Sequence, residues 1–259
     1  MFGDYKDLAD FKEQSGYMID DVWYPRVTRI VTIKAKPALY YYYGEAKSYK
    51  AAQEATERSA EEGTLLHEAV EGLLLGKNPT IPPEIAPAVK SFQEFFARNN
   101  IYVTPDLVER RIVNRDHRYA GTVDAIARIG GKLGVLDIKT SQAIYRDYCL
   151  QTSAYMDALK NEFQNLSTRW ILKIDQVQYC NRCGSRRRVK GGNEKIKLNW
   201  QNGMGGVSRN CVHDWSELQG DIELQEFPSW QNDFEAFLGA KRLWEWENEE
   251  WLKRVGYLA

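Results

Sequence analysis

The fold of this chain is decided by residues 119–140, which read YAGTVDAIARIGGKLGVLDIKT. Two apolar, β-branched runs in this stretch, Thr122–Ile129 and Lys132–Thr140, flank a Gly-Gly pair. A Gly-Gly pair is typical of a two-residue hairpin turn, because the central residues of that turn need positive φ angles. We therefore predict an antiparallel hairpin in which Ile129 faces Lys132.

Counting outward from this turn places Asp124 opposite Asp137 on one face of the hairpin. Their Cβ atoms would lie roughly 4.5–5.5 Å apart, a distance at which like charges destabilise a sheet. A divalent cation between the two carboxylates reverses that effect. Lys139 shares this face because side chains alternate along a strand, whereas Leu136 and Ile138 point to the other face. The pattern predicts a cation site, and an exposed hairpin face with ordinary charges is the alternative.

The Asp-Ile-Lys-Thr segment, preceded by an aspartate on the neighbouring strand, resembles the PD-(D/E)XK nuclease superfamily in its RecB-like branch, which includes Cas4-like exonucleases. Asp124 matches the first strand acid of the family, and Asp137 with Lys139 matches its acid-x-Lys motif. Gln151 and Tyr155 match the Gln-x-x-x-Tyr signature of the branch, on one helical face. The resemblance implies an α/β, restriction-endonuclease-like core, in which helices flank a central mixed β-sheet, and metal-dependent DNA cleavage.

The resemblance also implies further ligands for a catalytic Mg²⁺ or Mn²⁺ ion beside Asp124 and Asp137. Apolar residues recur at helical spacing from Ala51 to Leu75, and this predicted helix carries His67. The predicted strand from Leu107 to Asn114 carries Glu109, and the backbone carbonyl of Ile138 lies between the motif residues. A structural histidine and a surface carboxylate remain the alternatives for His67 and Glu109.

Three cysteines and one histidine lie in a segment that departs from the nuclease-like pattern. A Cys-x-x-Cys-Gly turn begins it, and such a ligand set suits a closed, tetrahedral and therefore structural zinc site. We predict a zinc ion held by Cys180, Cys183, Cys211 and His213. An iron–sulfur cluster of the Cas4-like kind is disfavoured, because this chain has no cysteine before the helical histidine. Cys149 is predicted to be a small buried apolar residue.

Two groups of basic residues are candidates for contacts with DNA phosphates. One lies beside four consecutive tyrosines, residues 40–43, together with Lys36, and the other belongs to the basic run of the insertion. Phosphate contacts give affinity without sequence specificity, and exposed tyrosines stack on unpaired bases. The alternative for the basic run is a solvated loop face. The alternative for the tyrosines is that they belong to the core and expose only one edge to solvent. The candidate arginines are Arg26, Arg29, Arg186, Arg187 and Arg188.

The composition limits these interpretations only loosely. A length of 259 residues with 43% hydrophobic residues suits one large or two small domains with a sizeable core. The net charge of −1, from 35 basic and 36 acidic side chains, does not by itself indicate a nucleic-acid binder. No long apolar run and no signal-peptide pattern occurs, so we expect a cytoplasmic protein without a membrane partner.

The predicted organisation has four parts: a peripheral N-terminal segment (1–24), the nuclease core (25–179), the Cys/His metal-binding insertion (180–215) and a C-terminal helix completing the core (216–259). By resemblance, the expected function is a Mg²⁺- or Mn²⁺-dependent exonuclease that acts on single-stranded DNA or duplex ends and leaves 5′-phosphates. A structure-selective endonuclease and a non-catalytic DNA-binding accessory subunit remain alternatives. A protein partner in a recombination, repair or phage replication complex also remains open.

Overall fold

The structure is a computed structural model that describes residues 5–34, 37–46, 48–199 and 209–259, with the side chains of 37–39 and 41 excepted. Lys36 and the Tyr41 side chain, parts of the predicted base-stacking group, therefore lie outside the described residues. The described helices are α1 Leu8–Ser15, α2 Val27–Ile30, α3 Pro37–Glu45, α4 Tyr49–Leu74, α5 Ala86–Arg98, α6 Tyr148–Leu159, α7 Gln231–Glu247 and α8 Glu249–Arg254. The strands are β1 Gly16–Ile19, β2 Val22–Pro25, β3 Tyr102–Asn114, β4 Tyr119–Ile129, β5 Lys132–Lys139, β6 Leu166–Tyr179, β7 Arg186–Lys190, β8 Asn193–Lys197 and β9 Gln219–Glu226.

A seven-stranded mixed sheet forms the centre of the molecule. Its strands run in the order β3-β4-β5-β6-β7-β8, and β9 also pairs with β6. Strands β5 and β6 are parallel and are connected through α6, whereas the other ladders are antiparallel. The predicted α/β class, with a mixed sheet flanked by helices, is confirmed.

The Gly-Gly hairpin joins β4 to β5 as predicted. Ile129 pairs with Lys132, and Gly130 and Gly131 take φ angles of 57° and 82°. Such angles suit glycine because it has no Cβ to clash. The ladder continues outward as far as the pair Ala125–Leu136, one residue short of the two aspartates. The predicted register is therefore confirmed.

Buried apolar side chains lie on both faces of the sheet. Helices α1, α2, α6 and α7 cover one face, where Tyr155 and Phe237 are almost fully buried. Helices α4 and α5 cover the other face, where Val70, Phe92 and Leu136 belong to one buried apolar cluster. The predicted pattern of β5 is thereby confirmed, because Leu136 lies in this second cluster together with Ile138.

The structure differs from the expectations for both ends of the chain. The N-terminal segment is not peripheral, because Phe11 is fully buried and stacks on Trp23 and Trp251. The C-terminal part is not only a helix: β9 adds a strand to the sheet, and the helical segment breaks at Asn248. Only Ile222 and Leu224 are apolar in β9, so its short alternation gives little signal of a strand.

Among the described residues, no helix has both the length and the apolar character needed to span a membrane.

Candidate active site

Three predicted ligands converge beside the open end of the β4–β5 hairpin. His67 comes from α4, Glu109 from β3 and Asp124 from β4. One ligand atom from each lies within 4.8 Å of the other two, and His67 Nε2 is 3.4 Å from Asp124 Oδ2. Two carboxylates and an imidazole at this spacing form a set that can hold a divalent cation.

Glu109, one of these three residues, has a strained backbone conformation. Its φ angle is +48°, a left-handed conformation that residues with a Cβ rarely adopt. The register of β3 against β4 also shifts between Val103 and Val108, just before this residue. Strained backbone of this kind persists where the surrounding structure imposes it, and it is frequent at functional sites. Here it places a carboxylate beside Asp124 and His67.

The ionisation of the three groups is mutually dependent. Burial, followed by repulsion from Asp124, raises the pKa of Glu109 to about 7. Burial also disfavours the charged form of Asp124, but the hydrogen bond with His67 and the charge of Lys139 outweigh it, so the pKa of Asp124 is lowered. The same hydrogen bond raises the pKa of His67. Near neutral pH the group therefore carries protons that a bound cation would displace.

Asp137 and Lys139 form a second, connected group on β5. Lys139 Nζ lies 2.7 Å from Asp137 Oδ2. The amide of Gln151 donates to Asp137 Oδ1 at 3.0 Å and to the Tyr155 hydroxyl at 2.9 Å, and its oxygen accepts from Lys139 Nζ at 3.2 Å. Gln151 of the predicted helical pair thus holds the carboxylate of Asp137, and Tyr155 contacts Gln151.

This second group differs from the prediction in one respect. Asp137 was expected to be a cation ligand together with Asp124, but the structure does not bring it into the His67–Glu109–Asp124 group. Its carboxylate pairs directly with the Lys139 ammonium instead, and its role as a cation ligand stays a prediction. Burial raises the pKa of Asp137 to about 6, although the charge of Lys139 opposes that rise. Burial lowers the pKa of Lys139, but the two aspartates outweigh it and the pKa is raised.

Ile138 links the two groups through its backbone. Its N–H donates to Asp124 Oδ2 at 2.6 Å, which fixes that carboxylate against β5. Its side chain packs on the opposite face of the sheet, in the apolar cluster beneath α4 and α5. Its carbonyl, the predicted backbone ligand, stays a prediction.

The predicted zinc ligands also converge. Cys180 Sγ lies 3.8 Å from Cys211 Sγ, and Cys183 Sγ lies 3.4 Å from His213 Nδ1. All four ligand atoms lie within 4.8 Å of one another, and the cysteines are free thiols. This cluster can hold a metal ion such as zinc. Cys149 is not a member of it and is fully buried in α6.

The turn at the start of the cluster favours a thiolate. Gly184, at φ +68°, allows its N–H to donate to the Cys180 carbonyl, while the Cys180 N–H donates to the Ser185 carbonyl. Burial opposes ionisation of the Cys180 thiol, but the N–H of Cys183 and the imidazole of His213 outweigh it and lower its pKa to about 5. Thiolates are the form in which cysteines bind metals.

The five predicted DNA-binding arginines all have partners within the protein. Arg26 donates to the Glu13 carbonyl at 3.0 Å, and Arg29 donates to the Tyr5 hydroxyl at 2.8 Å. The other three lie on β7 and pair with carboxylates: Arg186 with Asp221, Arg187 with Glu194 and Arg188 with Asp175. These contacts favour a structural role for the arginines, and phosphate binding by them stays a prediction.

The basic run is thus part of an ordered hairpin and not a solvated loop. Lys190 pairs with Asn193 across a turn of Gly191 and Gly192, at φ +58° and +81°. This is the same signal that predicted the β4–β5 turn, and the sequence analysis missed it here. The carboxylate partners on β6 and β9 had no comparable signal, because their pairing depends on the tertiary fold.

No protein-family model matches the sequence, and no curated protein matches it. The resemblance to the PD-(D/E)XK superfamily therefore depends on the motif residues and on the geometry described above.

Proposed function

We propose that this chain is a divalent-cation-dependent deoxyribonuclease of the PD-(D/E)XK type, with a restriction-endonuclease-like core. The supporting observation is the convergence of two groups at the open end of one hairpin. One is the His67–Glu109–Asp124 group, and the other is the Asp137–Lys139 pair. An ordinary exposed hairpin face would not bury Asp137, which is 0% exposed, beside a second aspartate.

The residues present fit a Mg²⁺ or Mn²⁺ ion. Oxygen ligands suit both ions, and an imidazole ligand is more usual for transition metals such as Mn²⁺. Burial and, after it, repulsion from Asp124 raise the pKa of Glu109, and a bound cation would remove that repulsion. When bound, such an ion polarises a phosphate oxygen and makes hydroxide available near neutral pH.

The other residues act on the phosphate and on one another. Lys139 remains charged because Asp137 and Asp124 raise its pKa, and its ammonium stabilises negative charge that develops on the scissile phosphate. Asp137 and Gln151 fix the position of that ammonium. Tyr155, 1% exposed, in turn holds Gln151, so it is a positioning residue.

The Cys/His cluster is proposed to hold a structural zinc ion. Its four ligands are supplied by the protein, so the coordination is closed and leaves no position for a substrate. The ion would fix the base of the β7–β8 hairpin, because Cys180 directly follows β6 and Cys183 precedes β7.

The test is cleavage of end-labelled single- and double-stranded DNA with Mg²⁺ or Mn²⁺. Wild type should degrade DNA, and Lys139→Met and Asp137→Asn should lose at least 100-fold in rate, the order of magnitude for losing a charge-stabilising group. Lys132→Ala, on the exposed opposite end of β5, is the matched control and should cleave like wild type. Circular dichroism would verify that each variant is folded.

Two results would redirect this proposal. No cleavage by a folded wild type that binds DNA would contradict an autonomous nuclease and favour the accessory-subunit alternative. Cleavage of covalently closed circles would favour an endonuclease, whereas degradation of linear DNA alone supports the exonuclease that the resemblance implies. The position of the label in the products gives the polarity.

A further inference from the structure

A cleft lined by aromatic and charged side chains lies near the candidate active site. It has a volume of about 280 Å³ and lies between α3, the N-terminal half of α4, the segment after β5 and the β7–β8 hairpin. Its lining combines aromatic, basic and hydroxyl side chains, the six used below being Tyr42, Ser59, Tyr145, Arg188, Lys190 and Lys195. Aromatic surfaces beside positive charges are the usual composition of sites for single-stranded nucleic acid.

The hairpin is held tightly against α4, so this cleft is an ordered feature. A Cβ at Gly191 would lie 2.2 Å from Ser59 Oγ and 2.4 Å from the Ala55 carbonyl, so only glycine fits there. The Arg58 guanidinium also donates to the Gly191 carbonyl at 3.2 Å. The turn of the hairpin therefore packs directly on the helix that carries His67.

Lys190 places a buried positive charge in this cleft. It is 7% exposed, and its ammonium donates to the Thr140 carbonyl at 2.5 Å. No carboxylate forms an ion pair with it in the part of the chain that the structure describes. Burial and the charge of Arg188 lower its pKa, whereas Asp175 and Glu62 oppose that shift. Burial of a charge without a counter-ion is costly, and an anion entering the cleft would reduce that cost.

The other charges in the cleft differ in how they are balanced. Arg188 pairs with Asp175 at 2.5 Å, so that carboxylate largely neutralises it. Lys195 is exposed and lies with its ammonium 5.8 Å from the centre of the Tyr42 ring. Tyr145 is 41% exposed, so part of its ring faces solvent. Two lysines and two tyrosines are thus available to a ligand.

The cleft and the candidate active site lie along the same helix, α4. Ser59, Gly63 and His67 are spaced by four residues and share one helical face, and the rise from Ser59 to His67 is about 12 Å. Between them, a Cβ at Gly63 would lie 2.7 Å from Thr140 Oγ1 and 3.7 Å from Lys190 Nζ. Thr140 directly follows Lys139, so the residue that accepts from the Lys190 ammonium is the chain neighbour of the motif lysine.

We propose that this cleft binds a segment of single-stranded DNA next to the phosphate that is cleaved, with a phosphate at Lys190 and Lys195 and a base against Tyr145 or Tyr42. This inference rests on the proposed nuclease function and specifies its substrate as a single strand. A paired base is already stacked within its duplex, whereas an unpaired base is free to stack on an exposed tyrosine. The hairpin of the Cys/His insertion is then a wall of the substrate path.

The test measures binding separately from cleavage. Fluorescence anisotropy of a 5′-fluorescein-labelled oligo(dT) 12-mer, without divalent cation, should show at least fivefold weaker binding for Lys195→Ala and for Tyr145→Ala. Both side chains are at least partly exposed, so the variants should fold. Lys77→Ala, an exposed lysine beyond the far end of α4, removes the same charge and should bind like wild type. The slope of log affinity against log salt should become shallower by about 0.7 in Lys195→Ala, as expected for one lost phosphate contact.

The outcomes separate the cleft from the nuclease. Binding by Lys195→Ala and Tyr145→Ala within twofold of Lys77→Ala overturns the cleft, even if wild type cleaves DNA. Weakened binding in both variants supports the cleft, even if wild type cleaves nothing and the nuclease proposal fails. An unlabelled blunt duplex of equal length should compete at least tenfold less well than the single strand, and equal competition overturns the single-strand assignment.

Discussion

The raised pKa of Glu109 predicts that divalent-cation binding depends strongly on pH. A carboxyl with a pKa of about 7 is about one-tenth ionised at pH 6 and about nine-tenths ionised at pH 8. Because a cation binds the ionised form, Glu109 alone should make Mn²⁺ affinity about tenfold higher at pH 8 than at pH 6. The sign is fixed by the direction of the shift, since an acid with an ordinary pKa would be ionised at both values.

His67 adds to this dependence in the same direction. Its pKa is raised by the hydrogen bond to Asp124, so it also loses a proton when a cation binds. The contribution of Glu109 is isolated by comparing wild type with Glu109→Gln, which removes the ionisation and nearly keeps the shape. The pH 8 to pH 6 affinity ratio of wild type should exceed that of the variant by about tenfold.

Electron paramagnetic resonance of free Mn²⁺ measures these affinities without any assay of activity. Asp124→Asn should abolish the site and serves as the control for binding elsewhere on the protein. If wild type and Glu109→Gln show the same affinity ratio between the two pH values, Glu109 is not a ligand and the proposed cation group is wrong. A wild-type affinity that is independent of pH would contradict the raised pKa itself.

Three other predictions concern the metal cluster, the packing around Tyr155 and an open position in α7. Cys183→Ser should reduce bound zinc, measured by mass spectrometry of the metal, from about one ion per chain to near zero. The control Cys149→Ser, buried in α6, should keep its zinc. Equal zinc in both variants would refute the ligand assignment. Gly121→Ala should destabilise the protein by about 1–3 kcal/mol in urea denaturation, because its Cβ would lie 2.7 Å from Cε1 of the buried Tyr155 ring. Gly239→Ala, inside α7 with nothing within 4 Å of its Cβ, should instead stabilise by about 0.5–1 kcal/mol, and a loss of stability there would contradict the open space.

The sequence predicted the β4–β5 hairpin because its signals are local. A Gly-Gly turn sets the register, and alternation along each strand then sets the face of every side chain. His67 and Glu109 were placed near the metal through the family resemblance, and the structure brings both beside Asp124. The Cys/His ligands were found from their types and spacing.

The remaining features could not be predicted because they depend on contacts between distant parts of the chain. Arg169 is 0% exposed and pairs with Asp233 of α7, a residue 64 positions later in the chain. The pairing of Lys139 with Asp137 is decided by distances of a few ångströms that sequence spacing does not give. The burial of Phe11 similarly depends on tryptophans on other elements.

The position of the Cys/His insertion has a consequence for the topology of the chain. It leaves the sheet after Tyr179 and returns at Ser216, whose N–H donates to the Tyr179 carbonyl at 2.9 Å, so its two ends meet. Strands β6 and β9 are antiparallel neighbours, and the whole insertion is therefore the loop of a hairpin. Lengthening the β6–β9 loop by three doublings costs roughly 2 kcal/mol in closure entropy, and a metal bound within the insertion can offset this cost. A chain without this segment would lack β7, β8 and the cleft wall that they form, but the order of the remaining strands β3-β4-β5-β6-β9 would be unchanged.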